Sequence, residues 1–192
     1  MFMRVRVSFG IGAILLLCQV VHATTIVPVT FRELVQHADV IFVAEVVGQR
    51  ASWDVTRDGR SIVTSVQFNV VRILKGNVGL VTQLDFLGGT IGDVTMDVSG
   101  VPRFQVGDRD VLFVGPVRYA VSPLIGFSQG RFRIERDAAT GFDRVRTFDG
   151  RALEATGTIG KPRTTSLAAV KSTMRLSDFE AEVRTEAATR QR

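Results

Sequence analysis

Two long stretches in which apolar residues alternate with polar ones constrain this chain most. Residues 39–50 read DVIFVAEVVGQR and residues 61–74 read SIVTSVQFNVVRIL, both dense in β-branched and aromatic side chains. Such a period predicts two long strands. Asp58-Gly59, inside the connecting residues 52–60, is a strong turn signal, so the two strands are expected to pair as an antiparallel hairpin with Trp53 at its tip. Lys75-Gly76-Asn77 stops the second strand.

Shorter strand signals follow. Residues 80–87 predict a third strand, residues 88–92 (GGTIG) a bend or bulge, residues 109–114 a fourth strand, residues 130–136 a fifth, and residues 142–147 a return after Thr140-Gly141. Ahead of them, Thr30-Phe31-Arg32-Glu33 matches a capping box and opens a helix ending near His37, with Leu34 and Val35 inward. Residues 150–165, rich in Gly, Thr and Arg, predict a loop or linker. Residues 176–180 read LSDFE and predict a second capping box, opening a helix with a narrow apolar face of Phe179 and Val183 that packs lightly. The expected fold class is all-β: an OB-like antiparallel Greek-key barrel of five or six strands, with a short N-terminal helix and a C-terminal helix, because closure removes exposed edges.

The first residues carry a different signal. Arg4 and Arg6 precede an apolar stretch, residues 7–21, and Val21-His22-Ala23 ends in a small residue, the pattern of a secretory signal peptide. The stretch is shorter than the roughly 20 residues of a spanning helix, and Leu16-Leu17 before Cys18 departs from a lipobox. The expected organisation is a signal peptide over 1–23, a barrel domain over 24–149, and a linker with helix over 150–192, in a secreted or periplasmic protein. Cleavage removes two of 24 Lys+Arg and leaves 19 Asp+Glu, so the net charge becomes 22 − 19 = +3, and it removes the single cysteine. A thiol-free chain suits an oxidising compartment.

The same inventory argues against chemistry. After cleavage neither a cysteine nor a Gly-x-Ser-x-Gly elbow remains, and His37 is the single histidine left, at a helix end where it serves as a cap or surface residue. Asp93, Asp97, Asp108 and Asp110 lack an EF-hand pattern and read as turn residues more readily than as calcium ligands. The basic charge is arginine scattered singly, with no Lys/Arg run, which argues against a nucleic-acid surface. Phe68 and Phe86 alternate with apolar neighbours and read as core. We therefore expect no enzyme, no cofactor and no metal of the protein's own.

Thr24-Thr25-Ile26-Val27-Pro28, a short helix, the strand beginning Ala38-Asp39-Val40, and a second strand ending Ile73-Leu74-Lys75-Gly76 follow one another in an order that resembles the inhibitory domain of the tissue inhibitors of metalloproteinases and the wider netrin-like modules. The resemblance spans residues 24–136; residues 101–108 (VPRFQVGD) also look like bacterial secreted proteins of similar layout. It implies an OB-type five-stranded barrel with flanking helices. It also implies a mechanism in which the free α-amine and carbonyl of Thr24 chelate the zinc of a secreted metalloprotease while Thr25 enters its specificity pocket. Chelation of this kind uses backbone atoms, and an α-amine is partly neutral near pH 8. The family ties this segment down with disulfides from the first and third mature residues, here Thr24 and Ile26. Trp53 and residues 88–100 offer a second contact surface, suited to an envelope or extracellular interaction protein that binds a protein or glycan through its loops.

Overall fold

The computed structural model describes residues 27–56, 59–116, 121–161 and 173–189. The signal peptide expected over 1–23 therefore lies outside the described residues. The described residues fold as a mostly β structure: eight strands, of which six form one antiparallel sheet, with a helix near each end of the described chain.

The first helix, α1 (Phe31–His37), is closed at its start as expected. The Glu33 amide donates to Thr30 Oγ1 at 3.3 Å, and the Thr30 amide donates to Glu33 Oε2 at 2.8 Å. Leu34 and Val35 are buried and His37 is exposed. The far end of α1 is closed from a distance. Lys75 Nζ donates to Val35 O at 2.7 Å and to Ala38 O at 2.5 Å, supplying cationic donors to orphan carbonyls. Gly76 follows with φ +74, and a Cβ there would stand 2.3 Å from Asp39 O. Lys75-Gly76 thus couples the end of the second strand to the helix-to-strand corner.

The two long strands are β1 (Val40–Thr56) and β2 (Gly59–Lys75), antiparallel from Ile41 opposite Lys75 to Thr56 opposite Gly59. The hairpin is longer than expected. Most of residues 52–60, read as connection, is strand, because Trp53 and Val55 find cross-strand partners in Ile62 and Arg60 and the ladder continues. Register shifts at Ile41/Phe42, Val43/Ala44 and Val46/Gly48 bend the pair.

The remaining strands are β3 (Val81–Leu87), β4 (Gly89–Ile91), β5 (Val94–Met96), β6 (Arg109–Val114), β7 (Arg131–Arg136) and β8 (Asp143–Thr147). The main sheet runs β3-β2-β1-β6-β7-β8, and β4 and β5 form a separate small hairpin where only a bend was expected. Among the described residues no ladder joins the outer strands β3 and β8.

The last element is α2 (Leu176–Thr189). It starts one residue before Ser177, whose hydroxyl bonds Asp178 instead of capping the helix, so the second capping box does not form. Nor is its packing light: Leu176, Phe179 and Val183 are buried, and the Phe179 ring lies 5.0 Å from Phe132 and 5.9 Å from Phe31.

The central strands bury side chains on both faces. Ile41, Val43, Val111 and Phe113 join α1, α2, β7 and β8 in one cluster; Phe42, Ala44, Val46 and Leu112 join Val66, Phe68, Phe86 and Phe104 in another. No helix of the described residues is long and apolar enough to cross a membrane.

Candidate functional site

Thr24 and Thr25 lie outside the described residues, but the segment that follows them is held in place. The Val29 amide donates to Gln129 Oε1 at 2.9 Å, and Gln129 Nε2 donates to Val27 O at 3.0 Å. One amide side chain thereby pairs with the backbone on either side of Pro28. Pro28, between them, has no amide to leave unpaired. Gly126 (φ +62) backs this contact, since a Cβ there would come within 2.8 Å of Val29 Cγ2. Beside it, Phe127 has φ +60, a conformation that costs a residue with a Cβ about 1 kcal/mol or more. Phe127 is 40% exposed, and Val27 is 76% exposed. Exposed apolar groups thus flank the point from which the chain runs back toward Thr24.

Trp53 stands in β1 opposite Ile62, short of the hairpin tip where it was expected. It is 39% exposed, and the Arg60 guanidinium covers one side of its ring at 4.4 Å from the centroid. Deeper along the same face, Gln49 and Ala51 form one wall of a groove of about 340 Å³, whose other sides include Thr64, Phe86, residues 88–90, residues 96–98 and residues 101–104. Its hydroxyls are already engaged: Thr64 Oγ1 donates to Gly88 O at 2.7 Å, and the Thr90 and Thr95 hydroxyls share a hydrogen bond of 3.0 Å.

The groove's floor is fastened by a buried ion network. Arg131, almost fully buried, donates to Asp110 through Nε and Nη2, each at 2.9 Å, and to Asp108 through Nη2 at 2.7 Å. Its Nη1 also bonds the carbonyl of Arg103, and its guanidinium lies 4.1 Å from the centre of the Phe104 ring. Burial pushes the Asp110 carboxyl up from its ordinary value, against the pull of Arg131. No buried side-chain polar atom is left without a partner among the described residues.

The four aspartates weighed as calcium ligands are not brought together. Asp97 pairs with Arg103, and Asp108 and Asp110 serve Arg131. No group of three or more His, Cys, Asp or Glu able to hold a metal occurs among the described residues. Two structural determinants escaped the sequence, Gln129 and Arg131. The visible sign of the second was Asp110, a carboxylate on a strand otherwise buried and apolar from Val111 to Val114. No protein family, curated protein or solved structure matches this chain.

Proposed function

We propose that this chain is an exported, non-enzymatic binding module that inhibits a secreted zinc metalloprotease through a mature N-terminus at Thr24. The observation that carries this reading is the Gln129 clamp on Val27 and Val29. Fixing a flexible residue costs about 1–2 kcal/mol, so a chelating N-terminus binds tightly only if its segment is ordered beforehand. The clamp begins three positions after Thr24 and supplies the tether that disulfides provide in the tissue inhibitors of metalloproteinases. Pro28 stiffens the same segment.

The finer fold reading, an OB-like barrel, belongs to the same proposal. It is supported by β1, whose first half pairs with both β2 and β6 and whose second half pairs with β2 alone after the shift at Val46/Gly48. It is supported also by Phe104, which covers the inner face against Phe68 at 5.3 Å and Phe86 at 5.0 Å.

The test compares protein beginning at Thr24 with protein carrying one extra alanine before it, against a panel of secreted zinc metalloproteases. The trimmed form is expected to inhibit, the extended form to fail, and Gln129→Ala in the trimmed form to bind about tenfold more weakly, as loss of two hydrogen bonds implies. A trimmed chain that inhibits nothing, or inhibition indifferent to the extra residue, overturns the reading. A second reading, an envelope or extracellular interaction protein, draws on the exposure of Trp53 and Val55; a Trp53→Ala chain that retains the same partner removes it.

A further inference from the structure

Among the described residues, β1 is paired on both sides only as far as Val46, whose amide donates to Asp108 O and whose carbonyl accepts from Gly107. Among the described residues, from Gly48 to Val55 it is bonded to β2 alone, and no described strand lies beside the backbone donors and acceptors of its other edge. An open edge is a template for another strand, and proteins commonly guard it with charges. The guards here are Arg50 and Asp54, and neither makes an ion pair among the described residues. On the other arm of the sheet the arginines are committed: Arg109, Arg131, Arg133, Arg136, Arg144 and Arg146 each contact an aspartate or glutamate.

We propose that this edge pairs with the same edge of a second copy of the chain, antiparallel about a two-fold axis at Ser52. In that register Arg50 of each copy faces Asp54 of the other, Ser52 faces Ser52, and Ala51 faces Trp53. A slip of two residues in either direction sets Arg50 opposite Ser52 or Thr56 and forfeits both ion pairs. A slip of four sets Arg50 against Arg50 or Asp54 against Asp54, and an odd slip exchanges the faces. One register alone satisfies the charges. It also brings the Trp53 indole of one copy beside Ala51 of the other, at the wall of the 340 Å³ groove, so a large side chain meets a small one there. The association is isologous and closes at two copies. It does not rest on the inhibitor reading, and the two stand or fall separately.

The test is the oligomeric state of the purified chain by sedimentation and light scattering from micromolar to several hundred micromolar. A concentration-dependent dimer is expected. Arg50→Asp and Asp54→Arg each place two like-charge pairs in the interface and are expected to weaken dimerisation tenfold or more, roughly the effect of two reversed cross-strand pairs. The double swap restores complementarity and is expected to restore the dimer. Circular dichroism matching the parent chain verifies that each variant folds. In a chain carrying Cys18→Ser, Ser52→Cys is expected to oxidise to a covalent dimer, because facing strand positions bring Cα atoms within disulfide range. A monomer at every concentration, a dimer indifferent to the single swaps, or a double swap that stays monomeric overturns the proposal.

Discussion

The two faces of the central strands are closed by different means. On one face, α1 and α2 cover β1, β6, β7 and β8, and Phe179 packs with Phe132 and Phe113 at 5.0 and 6.2 Å. On the other, no helix among the described residues takes part; the loop that carries Phe104 lies over Phe68 and Phe86 and is pinned by Arg131. The helices close their face chiefly by apolar area and shape, with one buried carboxylate, Glu180 of α2, accepting from Arg72 Nε at 2.9 Å and Nη2 at 2.7 Å. A loop has no ladder to hold it, so its closure here depends on charges, and the charges had to be buried with it.

That difference sets the largest expected effects. Phe179→Ala removes a fully buried ring from the helix-covered face, and equilibrium denaturation is expected to show a loss of about 4 kcal/mol. Hydrogen exchange would then quicken in α1 and α2 together, since Arg32 and Glu186 also link them at 3.4 Å. On the opposite face, Asp110→Ala leaves Arg131 buried with Asp108 as its remaining carboxylate. A loss of about 3 kcal/mol is expected, somewhat below that of a wholly unpaired charge. Here exchange should quicken around residues 97–107 while α2 keeps its protection. Equal exchange over both faces in either variant would mean that the two closures act as one unit, and the distinction drawn between them would fail.

The same contrast explains what was legible in the sequence. The strands, the first capping box and the inward positions of Phe68 and Phe86 follow from local periodicity and hydrogen-bonding chemistry, which nearby residues determine. The extra length of the hairpin was missed because Trp53 and Val55 gain their strand conformation from partners across the ladder. Likewise α2 begins before Ser177 because burial of Leu176 outweighs the cap that Ser177 offers. The clamp between Gln129 and Val27, and the bond from Arg131 to the Arg103 carbonyl, join residues far apart in the chain, and no local pattern marks them. Of the candidate site, Trp53 was legible only as an aromatic near the hairpin end, and the groove beside its strand was not, because the loop that forms the groove is shaped by that distant arginine.

The smallest effect concerns the ion pairs of the helix-covered arm. Hydrogen bonds from Arg109 hold the Asp143 carboxyl below its ordinary value, with Arg136 assisting and burial opposing. A carboxylate lowered in the folded state stabilises it above the ordinary pKa of about 3.9. That contribution is lost as pH falls through the lowered value, because the unfolded chain takes up the proton first. Asp110 has the opposite sign: raised by burial, it releases its proton later when folded, so its ionisation costs stability as pH rises above its ordinary value. Acid destabilisation below about pH 4 therefore belongs to Asp143 and its like, not to the buried network under Phe104. Asp143→Asn is expected to cost about 1 kcal/mol or less at neutral pH, since Arg109 is partly exposed, and to flatten the fall in stability below about pH 4. Asp137, lowered by the amides of Thr140 and Ala139, accounts for part of the slope that remains. Urea denaturation of both chains between pH 2 and pH 7 measures this, and an unchanged slope would assign the acid sensitivity to the other lowered carboxylates, Glu33, Asp137 and Asp149, instead.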